Sequence, residues 1–165
     1  NCMMFLSLPK ALKVIVMMAV IGLAACSANE SPAPTQTVTT ITGQTMTFSN
    51  PKHYTLVNFW ATSCATCVEE MPTLAALYQK YQAQGFRVIA IAMSYDRPDY
   101  VLNFSQKNAL PFAVTLDVDE KHAQSFGGIV GTPTSFLINP QGQIIKRYIG
   151  KPDFVELEAL IQSKG

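Results

Sequence analysis

The run Thr55-Leu56-Val57-Asn58-Phe59-Trp60 restricts the possible folds of this chain more than any other segment. It is non-polar on both alternating faces apart from Asn58, so both faces need cover, and such a strand belongs inside a sheet with helices packed on either side. The segment Cys64-Ala65-Thr66-Cys67 follows closely. From Met71 onward Leu74, Ala75, Tyr78 and Tyr81 recur at helical spacing, with Glu70, Thr73, Gln79, Lys80 and Gln82 read as the solvated side. Pro72 lies inside this pattern and predicts a kink, while Gly85 supplies the stop. The two cysteines therefore sit where a buried strand gives way to a helix.

Further along, Phe86–Met93 reads as a second buried strand and Asp96–Asn108 as a helix capped by Asp96, with Pro98 in its first turn. Ala113–Leu116 is a short strand and Asp119–Phe126 a short helix closed by Gly127-Gly128. Ser135–Asn139 and Gln143–Ile149 are strands joined by the turn Asn139-Pro140-Gln141-Gly142. A last helix begins at Pro152 and gathers Phe154, Leu157, Leu160 and Ile161 on one side. Upstream, Val38–Phe48 reads as a hairpin around Gly43-Gln44. This order predicts an α/β fold with a central mixed sheet flanked by helices and an N-terminal β-hairpin. A length of 165 residues suits one such domain.

The N-terminal region reads differently. Lys10 and Lys13 precede Val14–Ala25, a stretch without a polar or charged side chain, which has the length of a signal-peptide core and falls short of a membrane span. Leu23-Ala24-Ala25-Cys26 resembles the lipobox of bacterial lipoproteins, which implies that Cys26 is acylated and becomes the N-terminus after cleavage. An ordinary signal peptide, or an uncleaved anchor with an incidental cysteine, is the alternative. The expected organisation is a signal peptide over 1–25, a lipidated cysteine and flexible tether over 26–40, and a folded domain over 41–165. Such a protein sits in the cell envelope, held by lipid on the extracytoplasmic, periplasmic side of a bacterial membrane. Twelve basic against 11 acidic side chains give no electrostatic reason to expect a nucleic-acid partner.

A sulfur at a helix N-terminus faces unpaired N–H groups and the positive end of the helix dipole, which favours thiolate at Cys64. Cys67 follows one helical turn later, within reach of a mixed disulfide formed at Cys64. Structural zinc needs about four ligands, yet the other cysteines are Cys2 and Cys26, and His53 and His122 have no ligand spacing. No resident metal or cofactor is expected. Cu(I) binding by the two thiolates stays open, with Met71 as the nearest further donor.

Three separated segments carry a resemblance: Val57-Asn58-Phe59-Trp60-Ala61-Thr62-Ser63-Cys64-Ala65-Thr66-Cys67, then Met71-Pro72, then Gly131-Thr132-Pro133-Thr134 with Phe136-Leu137-Ile138. Together they resemble the TlpA-like and ResA-like branch of the thioredoxin fold, extracytoplasmic thiol-disulfide oxidoreductases, over about residues 36–162. The resemblance implies a strand and helix inserted around Asp96–Leu116. It also implies Cys64 as nucleophile, Cys67 as resolving cysteine, and a cis Thr132–Pro133 bond against the pair, offering the backbone of Thr132 to substrate. It further implies protein disulfide or dithiol substrates, such as apocytochrome c or copper-centre cysteines, and a membrane thiol transporter as electron source.

The chain departs from that pattern at Ser63, where relatives carry a second tryptophan, and at Ala65-Thr66, which lacks the usual proline between the cysteines. Trp60 remains beside the site as packing. Asn58 stands where thioredoxins carry a buried acid, leaving Glu69 and Glu70 as candidate proton acceptors or merely a solvated acidic face. His122 and the tyrosines of the cysteine helix are assigned to packing or surface. Besides disulfide exchange, a Cu(I) carrier using both cysteines and a non-redox scaffold binding unfolded chains remain open functions.

Overall fold

Seven consecutive buried residues, Tyr54–Trp60, form strand β4 at the centre of a six-stranded sheet. The computed structural model describes residues 30–163. The strands are β1 (Ser31–Pro32), β2 (Thr37–Thr39), β3 (Thr45–Thr47), β4, β5 (Phe86–Ala92), β6 (Ala113–Leu116), β7 (Thr134–Ile138) and β8 (Gln143–Ile149). The helices are α1 (Ala65–Tyr81), α2 (Pro98–Lys107), α3 (Lys121–Ser125) and α4 (Phe154–Gln162). β4, β5 and β6 run parallel, whereas β7 is antiparallel to β4, β8 to β7 and β1 to β8, so the sheet is mixed as expected. β2 and β3 form the separate hairpin, paired through Val38 and Met46.

Side-chain alternation along β4 splits the core in two. Leu56 and Trp60 face α1 and α4 with Met71, Leu74 and Leu157, while Val57 and Phe59 face the opposite layer of Val38, Phe48, Phe126 and Phe136. Helix α1 continues through Pro72. The turn after it ends at Gly85, whose φ of 90° is left-handed and whose backbone packs so tightly that a Cβ would stand 2.6 Å from the carbonyl oxygen of Lys52. Gly85 is thus required both as a stop and as a spacer.

Two expectations need correction here. The supposed tether over 26–40 is folded from Ser31 onward. Ser31 and Pro32 pair with Ile144 and Gln143 at the sheet edge, Ala33 N–H donates to Gly142 at 2.8 Å, and Val38 is fully buried. Pro32 is tolerated because an edge strand can spare an N–H, and β-branched Thr37, Val38 and Thr39 suit pairing; composition rich in Ser, Thr and Pro concealed both. Asp96 is not the cap of α2, which has Arg97 in that place with no side-chain capping bond. The signal peptide expected over 1–25 and the expected lipidation site Cys26 lie outside the described residues.

Candidate functional site

The parallel strand β4 ends at Trp60, and the chain reaches the first turn of α1 through Ala61-Thr62-Ser63. Cys64 occupies the N-cap: its backbone is extended, and its Sγ accepts the Cys67 N–H at 3.2 Å. Cys64 and Cys67 are joined as a disulfide. Cys64 is half-buried and Cys67 has no exposed surface, so only the first sulfur is open to a partner. Ser63, Ala65 and Thr66 are exposed around it, and Ser63 makes no cap.

The Thr132–Pro133 peptide is cis, and the Thr132 carbonyl oxygen lies 3.5 Å from Cys64 Sγ. The carbonyl of Pro133 is occupied by the Gly150 N–H at 2.8 Å, which ties this loop to the end of β8. Trp60 is fully buried against Phe104 of α2, as packing requires. His122 is also buried, edge-on to Phe48, and burial pushes its pKa down.

Glu70 overturns the reading of a solvated face. It has no exposed surface, whereas Glu69 is open to solvent and 3.7 Å from Lys151. Three residues after Cys67, Glu70 lies on the same helical stripe as Cys67, Met71 and Leu74, facing the sheet. Asn58, on the α1-facing side of β4, donates from Nδ2 to Glu70 Oε1 at 2.9 Å and to Ser135 Oγ at 3.0 Å. Ser135 is the residue opposite Asn58 on β7. Glu70 Oε2 is buried without a hydrogen-bond partner among the described residues. Burial pushes the Glu70 carboxyl up to about 7, against the opposing pull of the Asn58 bond and the Lys151 charge. A group with that affinity exchanges protons at neutral pH.

Asp96 is nearly buried and accepts both the N–H and the O–H of Thr62, each at 2.6 Å. It holds the loop after β5 to the turn that precedes Cys64. Sequence reasoning missed this role, and that of Ser135, because neither residue is near the cysteines along the chain. Met71, the nearest further donor in the copper reading, is buried in the core beneath α1. Among the described residues no group of three or more His, Cys, Asp or Glu side chains gathers as a metal site.

The Redoxin family model matches residues 28–161. The chain belongs to the Redoxin family. Thiol-disulfide oxidoreductase ResA of Bacillus thuringiensis (strain Al Hakam) is 33% identical over 132 residues, covering 79% of this chain and 75% of the relative. Among solved structures, a putative thioredoxin from Neisseria meningitidis is 35% identical with a TM-score of 0.73, over 79% of this chain and 87% of that one. StoA from Bacillus subtilis is 27% identical with a TM-score of 0.67, over 77% and 97%. This redoxin has the thioredoxin-like fold and is a thiol-disulfide oxidoreductase of the ResA type, with Cys64 and Cys67 as its redox pair.

Proposed function

We propose that this redoxin reduces disulfides of cell-envelope proteins from a lipid anchor at Cys26, on the extracytoplasmic side of a bacterial membrane. The observation that carries the reading is the asymmetry of the pair: a half-exposed Cys64 at the helix N-cap with a fully buried Cys67 behind it. After reduction, the helix N-terminus favours the Cys64 thiolate. That thiolate attacks one sulfur of the substrate disulfide, forming a mixed disulfide and releasing the other sulfur as thiolate. Glu70, ionised, takes the proton of the Cys67 thiol, and the Cys67 thiolate attacks Cys64 Sγ. The Cys64–Cys67 bond forms, the mixed disulfide breaks, and the second substrate sulfur leaves. Two electrons have passed to the substrate, whose two thiolates take up protons.

A membrane thiol transporter then returns the pair to the dithiol state. The lipobox-like Leu23-Ala24-Ala25-Cys26 supports the anchored location, and the half-buried Thr132 at the cis bond, beside the half-buried Cys64, supports an extended polypeptide as substrate.

The test is Cys67→Ser in the producing cell. It is expected to accumulate mixed disulfides between Cys64 and extracytoplasmic proteins, released by reductant and absent from the Cys64→Ser, Cys67→Ser double variant. No accumulation would overturn the reading. A reduction potential near or below about −270 mV agrees with a reductase, whereas one near −120 mV reverses the direction.

A further inference from the structure

The residue directly before Cys64 is the small, polar Ser63, and Trp60 is sealed in the core, so neither supplies an aromatic surface beside the sulfur. The exposed aromatic at this end of the molecule is Tyr95, on the loop after β5, 63% exposed. Its hydroxyl is 3.4 Å from Thr132 Oγ1, at the long limit of hydrogen bonding, and the same residue's carbonyl oxygen lies 3.5 Å from Cys64 Sγ. Val130, fully exposed two residues before Thr132, and Ile149, 77% exposed and paired with Thr134, are attached to the same stretch of chain. The other large exposed apolar side chains, Tyr100, Leu102, Val118 and Val155, are on α2, before α3 and on α4, with no such link to Thr132.

The loop that carries Tyr95 is fixed. Asp96, the next residue, is nearly buried and spends both carboxylate oxygens on Thr62, so this acid does not stand exposed beside Tyr95. We propose that Tyr95, held in place by the Asp96–Thr62 bonds, is a specificity-determining residue that selects polypeptide disulfides with a non-polar side chain next to the attacked half-cystine. This rests on disulfide exchange at Cys64. A tyrosine offers a large flat contact with little rotamer entropy to lose, and its hydroxyl end stands beside Thr132, where an extended substrate would pair under the proposed function.

The test uses the reduced full chain and two synthetic peptides, each closed by one internal disulfide and identical except for Phe or Ser beside the half-cystine. Glutathione disulfide is the reference oxidant. Wild type is expected to favour the Phe peptide in kcat/KM by about fivefold, a factor typical of one aromatic contact. Tyr95→Ala should bring the ratio close to one, Tyr95→Phe should keep it, and Tyr100→Ala, remote on α2, should also keep it. Absence of a preference in wild type, or a preference that survives in Tyr95→Ala, would overturn the assignment. Failure to react with any of the three disulfides would remove exchange itself, and this inference with it.

Discussion

The two faces of β4 are built from opposite materials. On one face Phe59, Phe126, Phe136 and Phe48 meet with ring centroids 4.7 to 6.1 Å apart, mostly edge to face, with the buried His122 ring packed edge-on to Phe48 at their margin. On the other, one residue along the strand, Asn58 stands in the core and bridges Glu70 to Ser135. The aromatic layer has only packing to offer. The polar layer keeps a carboxyl out of water beside Cys67, at a cost in stability that an apolar residue would avoid. Stability and proton handling are thus separated by the thickness of a single strand.

That separation can be broken most severely from the aromatic side. Phe59→Ala should cost about 3 to 5 kcal/mol in urea unfolding, because the site is fully buried and leaves a cavity. The pH dependence of disulfide exchange should stay as in wild type. An equal change in both would show that the layers are coupled.

Glu70 governs the next effect. Its folded pKa of about 7 lies above the ordinary 4.5, so the native state holds the proton more tightly than the unfolded chain. Between those values stability falls as pH rises; the stabilisation is complete below pH 4.5 and lost through pH 7. The loss is on the order of 3 kcal/mol, and Glu70→Gln should lack it in unfolding titrations at several pH values. A carboxyl still reached by water would give the two proteins parallel curves.

The same substitution should lower the exchange rate at neutral pH by about 100-fold, the lower range for loss of a positioned proton acceptor. It should also erase the rise in rate through pH 7 that ionisation of Glu70 produces. The smallest change is expected of Ser135→Ala, which removes one acceptor from Asn58 and should cost about 1 kcal/mol by thermal unfolding. If that cost were nil, the bond from Asn58 to Glu70 alone would hold the layer.

The aromatic layer was easier to read from sequence than the polar one. Buried strands, the cysteine-bearing helix, the hairpin and the closing elements follow from hydrophobic period and turn residues, which report burial of apolar side chains directly. Glu70 lies on the same stripe as Cys67, Met71 and Leu74, and the helical spacing alone would have placed it inside; its charge argued for the surface. Its partner Asn58 is on β4, 12 residues away, and the other acceptor of Asn58, Ser135 on β7, is 77 residues from Asn58, a distance that no local pattern spans. Asp96 misled in the same way, since an acid before Arg97-Pro98 looks like a cap until Thr62 claims both of its oxygens. Ser31–Thr40 was hidden by composition, for an edge strand needs few apolar residues.

Under the proposed lipid anchor, strand β1 would set how far the enzyme can stray. With acyl chains on Cys26 as proposed, residues 27–30 alone separate the lipid from Ser31, which is already hydrogen-bonded into the sheet. Fully drawn out, that leash reaches at most about 18 Å from Cα to Cα. The domain would ride against the headgroups and search for substrate in two dimensions, meeting proteins of its own membrane or those that come down to it. Lengthening the leash by ten Gly/Ser residues between Cys26 and Ser31 should widen the set of proteins trapped by Cys67→Ser.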